Sequence, residues 1–200
     1  MFFHLYLHFD VSAAVAQEQL RAEAETYWAD NAAHLILRGA IISDDKVAQI
    51  ALVAFMEFDH LAAAEKFIAG DPWNKATVYK ETQITRWTNG LKRTPETLPY
   101  KFGESYWHLR GFGKPNTHAQ RQEILQDHIG YYNPYDAKKI LIRGALLKAN
   151  IDEWQGSAIV VEMGSREEIK TFLADEPYFM NGLYDRILIE RFQVQSKPSP

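Results

Sequence analysis

One offset relates the two halves of this chain, and that internal repeat restricts the fold more than any other feature. Sliding the 200-residue sequence by 105 positions (144 minus 39) superimposes Arg38-Gly39-Ala40 on Arg143-Gly144-Ala145 and Asp71-Pro72-Trp73 on Glu176-Pro177-Tyr178. The same shift pairs Gln17 with Gln122, Leu20 with Leu125, Tyr27 with Tyr132, Glu57 with Glu162, Phe67 with Phe172, Tyr79 with Tyr184 and Arg86 with Arg191. A shared offset across several elements reads as two copies of one small fold. Each candidate residue can therefore be tested by asking what its counterpart holds.

Hydrophobic periodicity supplies the elements of each copy. Phe3, Leu5, Leu7 and Phe9 alternate with Phe2, His4, Tyr6 and His8 in the period of a strand. Leu20, Glu23, Ala24 and Tyr27 make the inward stripe of a helix capped by Ser12, with spacing i, i+3, i+4, i+7. Strands follow at 35–42 and 50–58, then a short helix capped by Asp59 and broken by Gly70-Asp71-Pro72, then a strand at 81–87. The second copy repeats the order, with Leu125, His128, Ile129 and Tyr132 on its helix stripe and a capping box at Ser165-Arg166-Glu167-Glu168. The expected class is α+β: two tandem ferredoxin-like βαββαβ repeats, at 1–90 and 104–195, each an antiparallel sheet with both helices on one face. Two such sheets packed by their bare faces would form an intrachain, pseudo-dimeric α/β barrel. Gly90, Pro95, Pro99 and Gly103 mark a linker, with 91–103 separating the copies, and 196–200 reads as a disordered tail.

Composition removes several functional classes. With 22 basic and 26 acidic residues the formal charge is −4 and no basic run stands out, so nucleic acid is not an expected partner. The chain has no cysteine, which removes disulfides and thiolate chemistry and fits a reducing, cytoplasmic compartment. No apolar run approaches the roughly 20 residues that span a bilayer, so no membrane is expected. Phosphate-loop, nucleophile-elbow and histidine-glutamate zinc motifs do not occur. His4 and His8 on one strand face would stand roughly 13 Å apart, too far to share an ion, and no other histidine spacing suggests a metal.

The sharpest chemical candidate is His128, an imidazole on an apolar helix stripe. The topology brings Glu176, after the second helix, towards the same sheet edge. A carboxylate beside an imidazole orients its tautomer and makes it a general base; the alternative is a partly buried helix histidine satisfied locally. Arg38 and Arg143 occupy matching positions, each before a glycine. They read either as carboxylate-binding guanidinium groups or as salt bridges to Glu57 and Glu162 on the neighbouring strands. Trp73 and Tyr178, aromatic counterparts after proline, read as packing anchors.

The second copy resembles the YciI (YCII-related) family through Gln126-Asp127-His128-Ile129, Arg143-Gly144-Ala145 and Glu176-Pro177-Tyr178, continuing to Tyr184. The first copy is similar through Gly39, Asp71-Pro72-Trp73 and Tyr79. That resemblance implies the dimeric α/β-barrel fold and a site built on a His/Asp pair, and a dehydrochlorinase is among the relatives. Neither copy holds the full pair: the first keeps Asp71 but offers Glu23 for the histidine, and the second keeps His128 but has Glu176 for the aspartate. The expectation is therefore a degenerate first copy and a working second copy. His128 and Glu176 would be catalytic, and Arg143, Tyr184, Asp71 and Arg38 would bind substrate. The activity expected is that of a small-molecule lyase, dehalogenase or isomerase with no cofactor and no metal. The alternative is a non-catalytic ligand-binding or oligomerisation module, the chain being a monomeric pseudo-dimer or a homodimer. Haem binding, as in some barrels of this group, would need a proximal histidine that the sequence does not single out.

Overall fold

The computed structural model describes residues 1–101, 106–149 and 151–195. It divides into two compact units: Met1–Arg86, joined by the described residues from Gln193 onward, and Trp87–Phe192. Gly103 and the tail at 196–200 lie outside the described residues.

The first unit runs β1 (Phe2–Phe9), α1 (Ala14–Gln19), α2 (Arg21–Asp30), β2 (Leu35–Ile42), β3 (Gln49–Glu57), α3 (Leu61–Gly70), α4 (Pro72–Lys75) and β4 (Tyr79–Trp87). The second runs β5 (Tyr106–Gly113), α5 (His118–Glu123), α6 (Leu125–Asp136), β6 (Ile140–Leu147), β7 (Trp154–Glu162), α7 (Arg166–Ala174), α8 (Pro177–Met180) and β8 (Tyr184–Val194). In the first, β1 lies antiparallel between β4 and β3, with β2 beyond β3. The second has the same order, β8-β5-β7-β6.

Strand alternation decides which face meets the helices. Phe3, Leu5, Leu7 and Phe9 are buried with Leu52, Ala54 and Met56 against Ala24, Trp28 and Phe67 of the helices. His4, Tyr6 and His8 therefore point to the helix-free face, because adjacent side chains of a strand point oppositely. In the second unit Trp107, Leu109, Ile159 and Val161 meet Tyr132, Ile169 and Phe172 in the same way. Burying each such side chain contributes about 1.5–3 kcal/mol, so these two cores fix the strand registers. His60, not Asp59, caps α3, its Nδ1 accepting from the Ala63 N–H at 3.1 Å.

The repeats match on two offsets, not one. Phe3 faces Met56 and Trp107 faces Val161, so β1 and β5 differ by 104 while β3 and β7 differ by 105. Tyr27 donates to the Phe67 carbonyl as Tyr131 does to that of Phe172. Arg38 lies over Trp28 at 4.8 Å as Arg143 lies over Tyr132 at 5.0 Å. The second unit thus carries one extra residue between α6 and β6. His128 corresponds to Ala24 and not to Glu23, which is exposed, and His4 corresponds to His108.

Among the described residues no helix is long and apolar enough to cross a membrane, and no group of three His, Asp or Glu side chains gathers as a metal site.

Candidate functional site

The acid-Pro-aromatic motif has a local physical reason. Glu176 is the N-cap of α8, accepting the Tyr178 N–H at 3.1 Å and the Phe179 N–H at 2.9 Å, while Pro177 takes the first helical position, where no N–H is needed. Those two bonds fix a carboxylate that is fully buried. Asp71 caps α4 likewise, accepting from the Trp73 N–H at 2.8 Å.

In the second unit a third donor reaches the cap. Nδ1 of His128, on α6, lies 2.6 Å from Glu176 Oε1. A carboxylate can only accept, so Nδ1 carries the proton and Nε2 is left as the basic nitrogen. The imidazole stacks on the Tyr178 ring at 3.8 Å with 4° between planes, which fixes its orientation. Burial lowers the His128 pKa below the usual histidine value; Glu176 opposes the shift, and Arg143 and Arg121 add to it. The ring is therefore neutral at neutral pH, the form a general base needs.

His128 also lines a cavity of about 180 Å³ in this unit, together with Arg121, Arg143, Ser157 and Tyr178 and the apolar Leu125, Ile129 and Ile159. Its wall depends on Gly144. A Cβ there would fall 1.5 Å from the Thr88 carbonyl oxygen. Residues 88–90, assigned from sequence to the end of the first copy, lie along β6 of the second unit: Thr88 N–H donates to Ala145 O, its hydroxyl accepts from Ala145 N–H, and Gly90 N–H donates to Arg143 O.

Arg143 lines the cavity but is already paired. Its Nε and Nη2 bind Asp136 at 2.7 and 2.6 Å. Arg38 binds Glu25 bidentately at 2.9 and 2.6 Å. The expected partners Glu162 and Glu57 are thus replaced by acids of the preceding helices, because both guanidinium groups lie on the helix side of their sheets. Tyr184 donates to the Ser157 hydroxyl at 3.0 Å, so it supports a cavity residue. Asp71 belongs to the first unit, where the Trp28 indole and Tyr79 hydroxyl donate to it at 3.0 and 3.1 Å. With Ala24 in the histidine's place, Asp71 is bonded to Trp28, Trp73 and Tyr79 where Glu176 meets an imidazole.

Residues 110–193 match the YCII-related domain. The second repeat is a YCII-related domain. Among curated proteins, none matches the chain in sequence at a significant level. A variant chlorite dismutase from Candidatus Nitrospira defluvii is 10% identical, with 96% of this chain and 91% of that chain covered and a TM-score of 0.63. A haem-binding protein from Thermus thermophilus is 9% identical over 98% of this chain and 92% of its own, at 0.54. The 5-chloro-2-hydroxyhydroquinone dehydrochlorinase of Burkholderia phenoliruptrix AC1100 is 24% identical over 43% of this chain and 91% of that chain, at 0.41. The two whole-chain likenesses show the fold: α+β, two ferredoxin-like halves in one chain, the dimeric α/β-barrel class.

Sequence reading missed three features of the YCII-related repeat. Arg121 sits one turn before the helix stripe and reads there as a solvated residue, yet it lines the cavity. Asp136 gave no signal as the partner of Arg143. His108 is buried and bonded to Glu190 at 3.0 Å on the helix-free face; its match with His4 is visible only at an offset of 104.

Proposed function

We propose that the YCII-related repeat is a small-molecule acid/base enzyme of the lyase, dehalogenase or isomerase type. The observation that carries this reading is that one imidazole is held at Nδ1 by a fully buried carboxylate and also lines a cavity. In the step proposed, His128 Nε2 takes a proton from a carbon of the substrate. The C–H electron pair then forms a double bond and expels an anionic leaving group from the adjacent atom, or is reprotonated at another carbon. No oxidant or reductant is required. Glu176 keeps Nδ1–H pointed at itself and stabilises the imidazolium that forms, a contribution of the kind worth 10²–10⁴-fold in positioned proton transfer.

Haem binding, described for the Thermus thermophilus protein, does not suit this cavity. About 180 Å³ is below even the roughly 300–1,000 Å³ of pockets that take drug-sized ligands, so a porphyrin does not fit among these residues.

The test is proton exchange in D2O, followed by NMR over a panel of small carbon acids. Wild type should wash deuterium into at least one of them, and His128→Asn should abolish the exchange while the melting temperature stays within a few degrees. Turnover that survives in His128→Asn would refute the assignment, and binding without exchange in wild type would favour a ligand-binding module.

A further inference from the structure

Two buried polar atoms of cavity-lining residues have no acceptor and take no part in the acid/base step. Tyr178 is 1% exposed, and its hydroxyl lies within reach of the Arg121 guanidinium but has no acceptor for its own proton; the Nε of Arg121 is likewise buried and without an acceptor. Both residues line the cavity beside His128, with the guanidinium carbon 5.8 Å from the Tyr178 ring centre. A buried donor without an acceptor costs about 1–3 kcal/mol, so two of them at one cavity call for a ligand that accepts from both.

Charge narrows the ligand further. Arg143 is neutralised by its bidentate bond to Asp136. Arg121 has no ion pair among the described residues. It is the one cavity-lining cation without a counter-ion among them, and a guanidinium fork matches a planar, two-oxygen anion. Burial raises the Tyr178 pKa to about 12, so its hydroxyl stays protonated and available to donate. Leu125, Ile129 and Ile159 offer apolar wall for only a short hydrocarbon body.

We propose that Arg121 and the Tyr178 hydroxyl form a carboxylate-binding subsite, and that the substrate of His128 is a short-chain carboxylate. This rests on the acid/base reading of His128 and adds to it the group that selects the substrate. Arg143, expected from sequence to hold the anion, instead has a structural role.

Pyruvate serves as the probe because it carries a carboxylate and exchangeable methyl protons, and pyruvamide is its neutral counterpart. Calorimetric titration should show saturable binding of pyruvate and at least tenfold weaker binding of pyruvamide. Arg121→Gln should weaken pyruvate at least tenfold and leave pyruvamide unchanged; Tyr178→Phe, which keeps the ring stacked on His128, should weaken pyruvate several-fold. His128→Asn should retain pyruvate binding and lose methyl exchange in D2O. Equal affinities for the two probes, no saturation by pyruvate in wild type, or undiminished pyruvate binding in both Arg121→Gln and Tyr178→Phe would overturn the subsite. Exchange that persists in His128→Asn while Arg121→Gln still weakens binding would refute the base and leave the subsite standing.

Discussion

Replacing Glu176 by Gln keeps the shape of the buried acid and removes its charge, so it isolates what the carboxylate does for His128. Oε1 accepts from His128 Nδ1 and the Tyr178 N–H, and Oε2 accepts from the Phe179 N–H. A glutamine can keep its oxygen towards the first two donors only by turning its NH2 against the third. Hydrogen bonds to charged groups are worth about 1.5–3 kcal/mol and neutral ones about 0.5–1.5, so two weakened bonds forfeit roughly 2 kcal/mol. The opposed Phe179 N–H adds about 1–3 kcal/mol. Relief of the buried charge offsets part of this, leaving a net loss of about 2 kcal/mol. The pKa of His128 should fall further, because Glu176 is what opposes the lowering by burial. Urea denaturation measures the first effect, and an NMR titration of the imidazole measures the second. A His128 pKa that rises or stays unchanged in Glu176→Gln would refute the coupling between the two groups.

Other perturbations separate structure from chemistry. Gly144→Ala must displace the Thr88 carbonyl and strain three hydrogen bonds of residues 88–90; a loss of about 2–4 kcal/mol is expected by calorimetry, and a fully stable variant would contradict the packing. Arg143→Gln strips Asp136 of its bidentate partner and should lower the melting temperature by about 5–10 °C, whereas Arg121→Gln should change it by no more than about 2 °C. Burial lowers the pKa of both His128 and His108 below 6.5. On acidification the unfolded chain binds these protons first, so this contribution is intact above about pH 6.5 and is lost as the pH falls below it. Urea midpoints between pH 7.5 and 5.5 should show that slope, and His128→Asn should flatten it.

The elements were legible because strands and helices leave periods that burial enforces. Phe3, Leu5, Leu7 and Phe9 named their own face, whereas the Pro after Asp71 or Glu176 reads in the sequence only as a helix stop, although it also opens the short helices α4 and α8. The single offset was not reliable. A one-residue slip in a strand turns every side chain to the other face: at 105 the helix-facing Phe3 falls on His108 of the helix-free face, and at 104 it meets Trp107. In an amphipathic helix similar residues recur every three or four positions. Tyr27 therefore found Tyr132 at 105 although its structural counterpart is Tyr131 at 104. That coincidence gave Glu23 a role that belongs to the position of Ala24. His128 and Glu176 were visible as types on the right elements, and the structure brings them to 2.6 Å. The partners of Arg38 and Arg143 were not visible, since Glu25 and Asp136 reach them across the fold from helix to strand and share no fixed sequence spacing. Arg121 was missed because one guanidinium on a helix carries no pattern until a cavity lies beside it.

The most direct measurement is the tautomer of His128, read from its imidazole nitrogen shifts at neutral pH in selectively labelled protein. A neutral ring with the proton on Nδ1, and a bare Nε2 whose shift responds when pyruvate is added, is the result expected of an oriented base facing a ligand cavity. A ring protonated on Nε2, or one whose Nε2 is indifferent to every small carboxylate, would mean that the buried pair serves the fold alone.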